Sequence, residues 1–306
     1  MSVRPPRVAV VGPTASGKSA VAMAVAEQLG GVELVSIDSM QVYRRMDVGT
    51  AKPTVEERRR VRHHLLDLVD PWDEFTVAEF QRAYDAALAE IASRGHRALL
   101  VGGTGLYHRA VVDHLDLPGE WPDLRRRFER EIAEHGPPAM HDRLARLDPD
   151  AATRMEPTNA RRIVRALEVI EGSGRRFSSF GPGLDAYPLT DVAQIGLRWD
   201  RAVLAERIAR RVHQMIDDGL VAEVESILAG GGFSRSAGQA LGYKELVRHL
   251  HGETSLDEAI EQVIVRTRQF AVRQLRWFQR DPRVTWVDVW CDPVAEAVPA
   301  VLAAYV

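Results

Sequence analysis

Between Val8 and Ala20 the chain reads VAVVGPTASGKSA, and no other stretch constrains its fold as tightly. A run of small, mostly β-branched residues leads into Gly12, Pro13, Thr14, Ala15, Ser16, Gly17, Lys18 and Ser19, which satisfy G-x-x-x-x-G-K-[ST] at every fixed position. Val21, Val25 and Leu29 follow at helical spacing, so strand, loop and helix come in the order that cradles a phosphate. The glycines let backbone N–H groups turn inward around an anion, and a helix starting at Lys18 directs its positive end there. Lys18 adds a point charge, and the Ser19 hydroxyl is a candidate ligand for Mg²⁺. The loop therefore binds a di- or triphosphate; its own pattern leaves open whose.

The rest of the chain extends this start into a sheet. Apolar, β-rich runs at residues 7–11, 32–37, 65–69, 98–101, 192–199 and 284–289 alternate with helical patterns near 18–29, 76–93, 200–217 and 255–279. Two of these helices open with capping boxes, Thr76 with Glu79 and Ser255 with Glu258. The reading is an α/β fold, a P-loop NTPase-like parallel sheet with helices on both faces. From about Leu117 to Pro188 the strand signal gives way to helical segments at 121–135 and 158–171 among Pro and Gly. A helical insertion at 117–190 is expected to divide a core of residues 1–116 and 191–306. No repeat or low-complexity segment is evident.

Composition narrows the class without choosing the chemistry. Of 306 residues, 27% are charged and 45% hydrophobic, as in an ordinary globular protein. Cys291 is the only cysteine, so neither a disulfide framework nor a thiolate metal site is available. The apolar run 8–11 ends in the phosphate loop and is too short for a signal sequence or membrane span, and a cytoplasmic protein is expected. A net charge of −3 argues against a generally basic nucleic-acid coat, although the arginines are clustered. No surplus apolar helix face asks for a partner, so a monomer is the default.

A second motif lies in LVSIDSMQVY, which places Asp38 at the carboxyl edge of the sheet, where open α/β sheets bind their ligands. Asp38 reads either as a carboxylate holding Mg²⁺ in a nucleotide hydrolase or as a general base facing an acceptor. The strand in RALLVGGTGLY ends on Gly102, Gly103 and Thr104 rather than on an acid, and no N-K-x-D signature for guanine occurs, so hydrolysis is poorly supported. The adjacent His63 and His64 read as packing residues, because strand neighbours point to opposite faces and no carboxylate completes a ligand set at helical spacing.

GPTASGKS, DSMQVYRRMDVGTAKP, HHLLDLVDP, LVGGTGLY, ARRIVRALEV, GQALGYKEL and RTRQFAVRQLRWF, in that order from about Val8 to Trp277, resemble the tRNA dimethylallyltransferase family. The resemblance implies transfer of a dimethylallyl group from dimethylallyl diphosphate to N6 of the adenosine beside the tRNA anticodon. Gly12 to Ser19 would then hold the donor's diphosphate with Mg²⁺, and ATP would act at most as a competing mimic. Asp38 matches the family's base. Thr104 matches its threonine on the bridging oxygen, although the position also suits a helix N-cap.

An arginine on DRAVLAERIARRV contacts diphosphate in the family, and Arg207 is the preferred match, with Arg211 four residues on. With tRNA as the acceptor that the resemblance implies, Asp38, Ser39, Met40, Gln41 and Thr104 are the candidate contacts at the target nucleotide. Ser39, Met40 and Gln41 are included because they stand next to the base, with Gln41 the best single reader because its amide both donates and accepts. Arg266 and Arg273 join Arg276 and Arg280 on the long helix beside Trp277, a candidate stacking residue. Arg161, Arg162 and Arg165 join Arg154 in the insertion, which would grip the anticodon stem-loop. No cysteine-based zinc finger of the kind carried by some eukaryotic relatives is expected. The alternatives are a prenyltransferase of free adenine nucleotides, a P-loop small-molecule kinase, and a non-catalytic RNA-binding switch.

Overall fold

The computed structural model describes residues 7–181, 183–184 and 186–305. In chain order the elements are β1 (Arg7–Val11), α1 (Lys18–Leu29), β2 (Val32–Ile37), α2 (Val55–Arg60), β3 (His63–His64), α3 (Val77–Ser93), β4 (Arg97–Gly102) and α4 (Gly105–Val112). There follow α5 (Pro122–Leu147), α6 (Pro149–Thr153), α7 (Ala160–Ser173), β5 (Val192–Trp199), α8 (Arg201–Asp217) and α9 (Leu220–Ala229). The last are α10 (Tyr243–Leu250), α11 (Leu256–Gln279), β6 (Val284–Val289) and α12 (Pro293–Ala303). The chain divides into two compact units, one of Met1–Asp113 with Leu189–Val306 and one of His114–Pro188.

In the first unit six parallel strands run in the order β3-β2-β4-β1-β5-β6. Every residue of β1 is buried, because the strand is central and covered on both faces. Strand alternation divides its side chains between two apolar layers. Ala9 and Val11 join Leu100 and Ile37 against Phe80 and Tyr84 of α3, Tyr243 of α10 and Phe278 of α11. Val8 and Val10 join Leu99 and Leu197 against Val21 and Val25 of α1, Ile208 and Val212 of α8, and Val298 of α12. The capping boxes expected at Thr76 and Ser255 are formed, and Thr54 makes another with Glu57 ahead of α2.

The expected strand at 65–69 does not form. The ladder on β2 stops at His64, and beyond it Leu65 and Asp67 take positive φ values of 63° and 57°. Leu65 is buried, and the amides of Asp67, Leu68 and Val69 bond to the carbonyls of Gln41 and Val42 rather than to a strand. Asp67 is occupied by Lys52 at 2.6 Å and Arg58 at 2.7 Å. This apolar run thus closes a packed loop, with a lone parallel bridge between Tyr43 and Val69.

The two histidines have structural partners. His63 Nδ1 lies 2.8 Å from the Val61 carbonyl, and His64 Nε2 lies 2.6 Å from Oε2 of Glu33. Glu33, on β2, is only 3% exposed and also takes Arg94 at 2.7 and 2.8 Å and His96 at 2.8 Å. Burial by itself pushes a carboxyl upward, but the bonds from Arg94, His64 and His96 outweigh it and hold this one at about 2.

In the second unit Phe128, Ile132, Met140 and Leu144 of α5 pack with Ile163 and Leu167 of α7. The helical path of α5 breaks at Gly136, where φ is 80° and ψ 156°, and the pair Pro137 and Pro138 follows the break. Glu168 of α7, fully buried, accepts from the Trp121 amide at 2.8 Å, Arg125 at 2.8 Å and Arg165 at 2.7 Å.

Replacing the buried Glu33 with Gln removes the charged acceptor that Arg94, itself partly exposed, and His64 share, and urea unfolding is expected to show a loss of about 1–3 kcal/mol. The folded-state pKa of this carboxyl is depressed, so its contribution is complete above the ordinary value of 4.5 and fades as pH falls towards about 2. The stability difference between wild type and Glu33→Gln is therefore expected to narrow between pH 4.5 and 2. A constant difference across that range would show that the carboxylate charge is not what stabilises this edge of the sheet.

Candidate active site

The phosphate loop leaves β1 at Val11 and turns through Ala15 at φ 62° and Gly17 at φ 92°. A Cβ on Gly17 would stand 2.5 Å from Cγ of Pro293, so glycine is required there by both conformation and space. Gly17 is the N-cap of α1 and offers no capping side chain, which leaves the first-turn amides open to an anion. The loop is held from outside at three points. Trp199 Nε1 donates to the Ser16 carbonyl at 2.9 Å, and Arg207 Nε donates to the Ala15 carbonyl at 3.0 Å while its guanidinium stacks on Trp199 at 4.2 Å. Gln274 of α11 accepts from the Thr14 amide at 2.8 Å and donates to the Gly103 carbonyl at 2.9 Å.

Positive charge collects on this side of the site. Lys18, Arg207, Arg210 and Arg211 line one cavity of about 940 Å³, near the upper end of the usual range for small-molecule pockets. Lys18 donates to the Pro13 carbonyl at 2.6 Å. Burial and the neighbouring Arg211 push its ammonium down to about 7, with Asp38 the opposing influence. Burial lowers Arg211 as well, again against Asp38, and burial with Arg210 beside it lowers Arg207. A polyanion would relieve all three.

Asp38 stands where β2 ends, in the same cavity. Its Oδ1 accepts from the Met40 amide at 2.8 Å, a local turn that fixes the carboxylate, and among the described residues Oδ2 receives no hydrogen bond. Thr104 occupies the N-cap position of α4 but does not cap it. Its Oγ1 instead accepts from the Ser39 amide at 3.2 Å and lies 3.5 Å from the Ser39 hydroxyl. The ends of the neighbouring strands β2 and β4 are thereby joined, and Asp38 and Thr104 line the same cavity.

Several expected contacts have other occupations. Both ends of the Gln41 amide are taken: Oε1 accepts from the Ser36 hydroxyl at 2.7 Å, and Nε2 donates to the carbonyls of Thr50 at 3.1 Å and Ala51 at 3.3 Å. Gln41 thus shapes the cavity wall rather than offering a free amide to a base. Arg266 is paired with Glu245, which is 2% exposed, at 2.7 Å, so it anchors α11 to α10. Arg273 alone of the long-helix arginines lines the cavity, with Arg276 and Arg280 exposed. Trp277, half-buried, packs against Gly105 at the start of α4, where a Cβ would meet it at 2.3 Å. In the second unit Arg165 is bound to Glu168 and to the carbonyls of Pro118 and Gly119, while Arg161, Arg162 and Arg154 are exposed.

Gln274, Glu223 and Tyr243 escaped the sequence reading. Gln274 follows Val263, Thr267 and Phe270 at helical spacing on the face that lines the cavity, and a polar residue interrupting such a stripe was the available signal. Glu223 of α9 takes the amides of Asp47, Val48 and Gly49 and the hydroxyl of Tyr243, a convergence that no local pattern discloses. Burial, and Glu223 after it, push the Tyr243 phenol far above its ordinary value, so it stays a donor. Among the described residues no helix is long and apolar enough to cross a membrane.

The whole chain has close counterparts. A sequence profile described as IPP transferase matches residues 41–281. The tRNA dimethylallyltransferase of Pseudarthrobacter chlorophenolicus is 50% identical over 94% of this chain and 95% of that protein. The one from Nocardioides sp. is 49% identical over 98% and 97% respectively. Among solved structures, the full-length tRNA isopentenylpyrophosphate transferase of Bacillus halodurans is 40% identical with a TM-score of 0.70, covering 99% of this chain and 97% of that one. A eukaryotic dimethylallyltransferase acting on tRNA superposes with a TM-score of 0.75 at 26% identity, over 92% of this chain and 74% of that one. With its phosphate loop, Asp38 and Thr104 gathered in one cavity, the chain belongs to the tRNA dimethylallyltransferase family.

Proposed function

We propose that the protein transfers the dimethylallyl group of dimethylallyl diphosphate to the exocyclic N6 of the adenosine beside the anticodon in tRNA and releases diphosphate. The observation that carries this reading is the single cavity in which a cationic phosphate cradle meets a carboxylate and a hydroxyl. Gly12 to Ser19 and Arg207 receive the diphosphate, with the open first-turn amides of α1 and Lys18 opposing its charge. Ser19, exposed on that turn, is the residue that would hold a Mg²⁺ ion. When bound, that ion would supply further charge neutralisation on the departing diphosphate.

An adenine amino group is a weak nucleophile, because its lone pair is delocalised into the ring. As the N6–carbon bond forms and the carbon–oxygen bond to diphosphate breaks, Asp38 takes the N6 proton. Thr104 donates to the bridging oxygen as negative charge develops there. Base assistance of this kind is worth about 10²–10⁴ in rate. Ser39 and Met40 flank the base, and Gln41 sets the wall behind it. The exposed arginines 161, 162, 273, 276 and 280 contact tRNA phosphates, which give affinity rather than sequence reading. Arg165 and Arg266 support those contacts indirectly, through Glu168 and Glu245. The protein works in the cytoplasm as a monomer.

Incubation of unmodified tRNA with the protein, Mg²⁺ and dimethylallyl diphosphate, followed by mass analysis of nucleosides, is expected to show one five-carbon unit on a single adenosine and none on free AMP. Prenylation of AMP at a comparable rate would reassign the acceptor, and ATP turnover without prenyl transfer would reassign the loop. Asp38→Asn is expected to lower kcat about 10²–10⁴-fold with tRNA affinity retained. An undiminished kcat would remove Asp38 as the base.

The Lys18 ammonium, lowered to about 7 by burial and by Arg211, gains a polyanionic neighbour when the donor binds, which raises its pKa. As pH rises through about 7 the free protein gives up this proton while the complex keeps it, so affinity for the donor falls. Calorimetry of dimethylallyl diphosphate binding at pH 8, in buffers of different ionisation enthalpy, is expected to show uptake approaching one proton. Binding without uptake would mean that Lys18 is already charged in the free protein.

A further inference from the structure

The cavity has two walls of different chemistry. The wall built by the phosphate loop and α8 carries Lys18, Arg207 and Arg211, whereas residues 49–51 and 239–243 line it without a single charged side chain. The second wall suits an uncharged nucleobase and sugar, and it depends on a loop that has no secondary structure of its own.

That loop is fixed by one carboxylate. Glu223 accepts from three consecutive backbone amides, Asp47 at 2.9 Å, Val48 at 2.8 Å and Gly49 at 3.2 Å. It also accepts from the Tyr243 hydroxyl at 2.5 Å. Successive amides aimed at one point form a concavity for an anion, and here the protein fills it with its own acid. Gly49 rests on the ring of Tyr243, where a Cβ would lie 2.4 Å from Cε2, so the loop is seated on the ring as well as tied to the carboxylate. The next two residues, Thr50 and Ala51, line the cavity and receive the Gln41 amide, the residue three places after Asp38. Glu223 itself does not line the cavity.

We infer that Glu223 is a positioning residue for the acceptor: through the 47–51 loop and Tyr243 it sets where the target nucleoside of tRNA lies against Asp38, and it has no part in holding the donor. This rests on the acceptor assignment proposed above. A carboxylate offers acceptors only, whereas the amide of a glutamine turns a donor towards the loop N–H groups and unseats it.

The test is steady-state kinetics on the full chain with tRNA and dimethylallyl diphosphate varied in turn, for wild type, Glu223→Gln and Tyr243→Phe, each checked for a cooperative thermal transition. Glu223→Gln is expected to raise the KM for tRNA about tenfold or more, since it loses hydrogen bonds to a charged acceptor, and to leave the KM for the donor within about twofold. Tyr243→Phe keeps the ring under Gly49 and removes one donor, so a smaller rise, about threefold, confined to tRNA is expected. If Glu223→Gln does not fold, Tyr243→Phe decides the matter by the same criterion. An unchanged tRNA KM in the folded variants, or equal rises for both substrates, would overturn the inference and leave Glu223 a general scaffold residue. A wild-type protein that prenylates no tRNA would instead overturn the acceptor assignment, and the inference with it.

Discussion

Lys18, Arg207 and Arg211 share one cavity wall, and a single cavity-lining carboxylate, Asp38, opposes Lys18 and Arg211. Taking cations out of water is unfavourable, and like charges beside one another add to the cost. The fold sustains this excess because the groups are mounted on elements fixed by apolar packing elsewhere: α1 and α8 lie on one face of the sheet through Val21, Val25, Ile208 and Val212. The chemistry of the site follows from that arrangement. In the proposed reaction a diphosphate would enter a place where positive charge is already assembled and only partly solvated, and its binding would neutralise that charge. Preorganised charge of this kind needs no rearrangement when the leaving group departs.

The phosphate loop alone does not make a transferase; its alignment with the carboxyl ends of β2 and β4 does. Gln274 supplies much of that alignment, because one side chain bonds both the Thr14 amide and the Gly103 carbonyl. Thr104, next in the chain to Gly103, then reaches across to Ser39, next to Asp38. Three segments that end neighbouring strands are thus linked through a side chain brought from α11. Gly102, still paired to Val11 and Ile37, and Gly103 after it carry no bulk, which is what allows the three to come so close: a Cβ would meet the Ile37 carbonyl oxygen at 2.1 Å at the first and Gln274 Nε2 at 2.4 Å at the second.

What could be read from the sequence was whatever depends on near neighbours. The phosphate loop is a fixed local spacing, and α1 begins and ends where the pattern places it. The capping boxes at Thr76 and Ser255 are three-residue devices and were equally legible. The run at 65–69 misled because an apolar segment looks the same whether it pairs as a strand or packs as a loop, and the positive φ of Leu65 and Asp67 is decided by partners elsewhere. Gln41, Arg165 and Arg266 were credited with free polar groups that distant or unforeseen acceptors already hold. Gln274 and Glu223 act on segments 260 and 174 positions away, beyond any local pattern.

This separation of scales has a mechanistic consequence. The groups proposed to do the chemistry, Lys18, Asp38 and Thr104, sit on short segments at strand ends ahead of the second unit, and each is recognisable locally. The groups that hold those segments in register, Arg207, Glu223, Tyr243 and Gln274, come from α8 to α11, after the second unit has interrupted the sequence. The site therefore does not exist until the later part of the first unit has packed on the sheet, and the geometry of the proposed proton transfer at Asp38 depends in part on Glu223, which does not line the cavity. A displacement of about 1 Å in such a supporting contact can cost about 10²-fold in rate. The carboxylate under the 47–51 loop and the amide between the two glycine-bearing loops are accordingly as much a part of the reaction's geometry as the base itself.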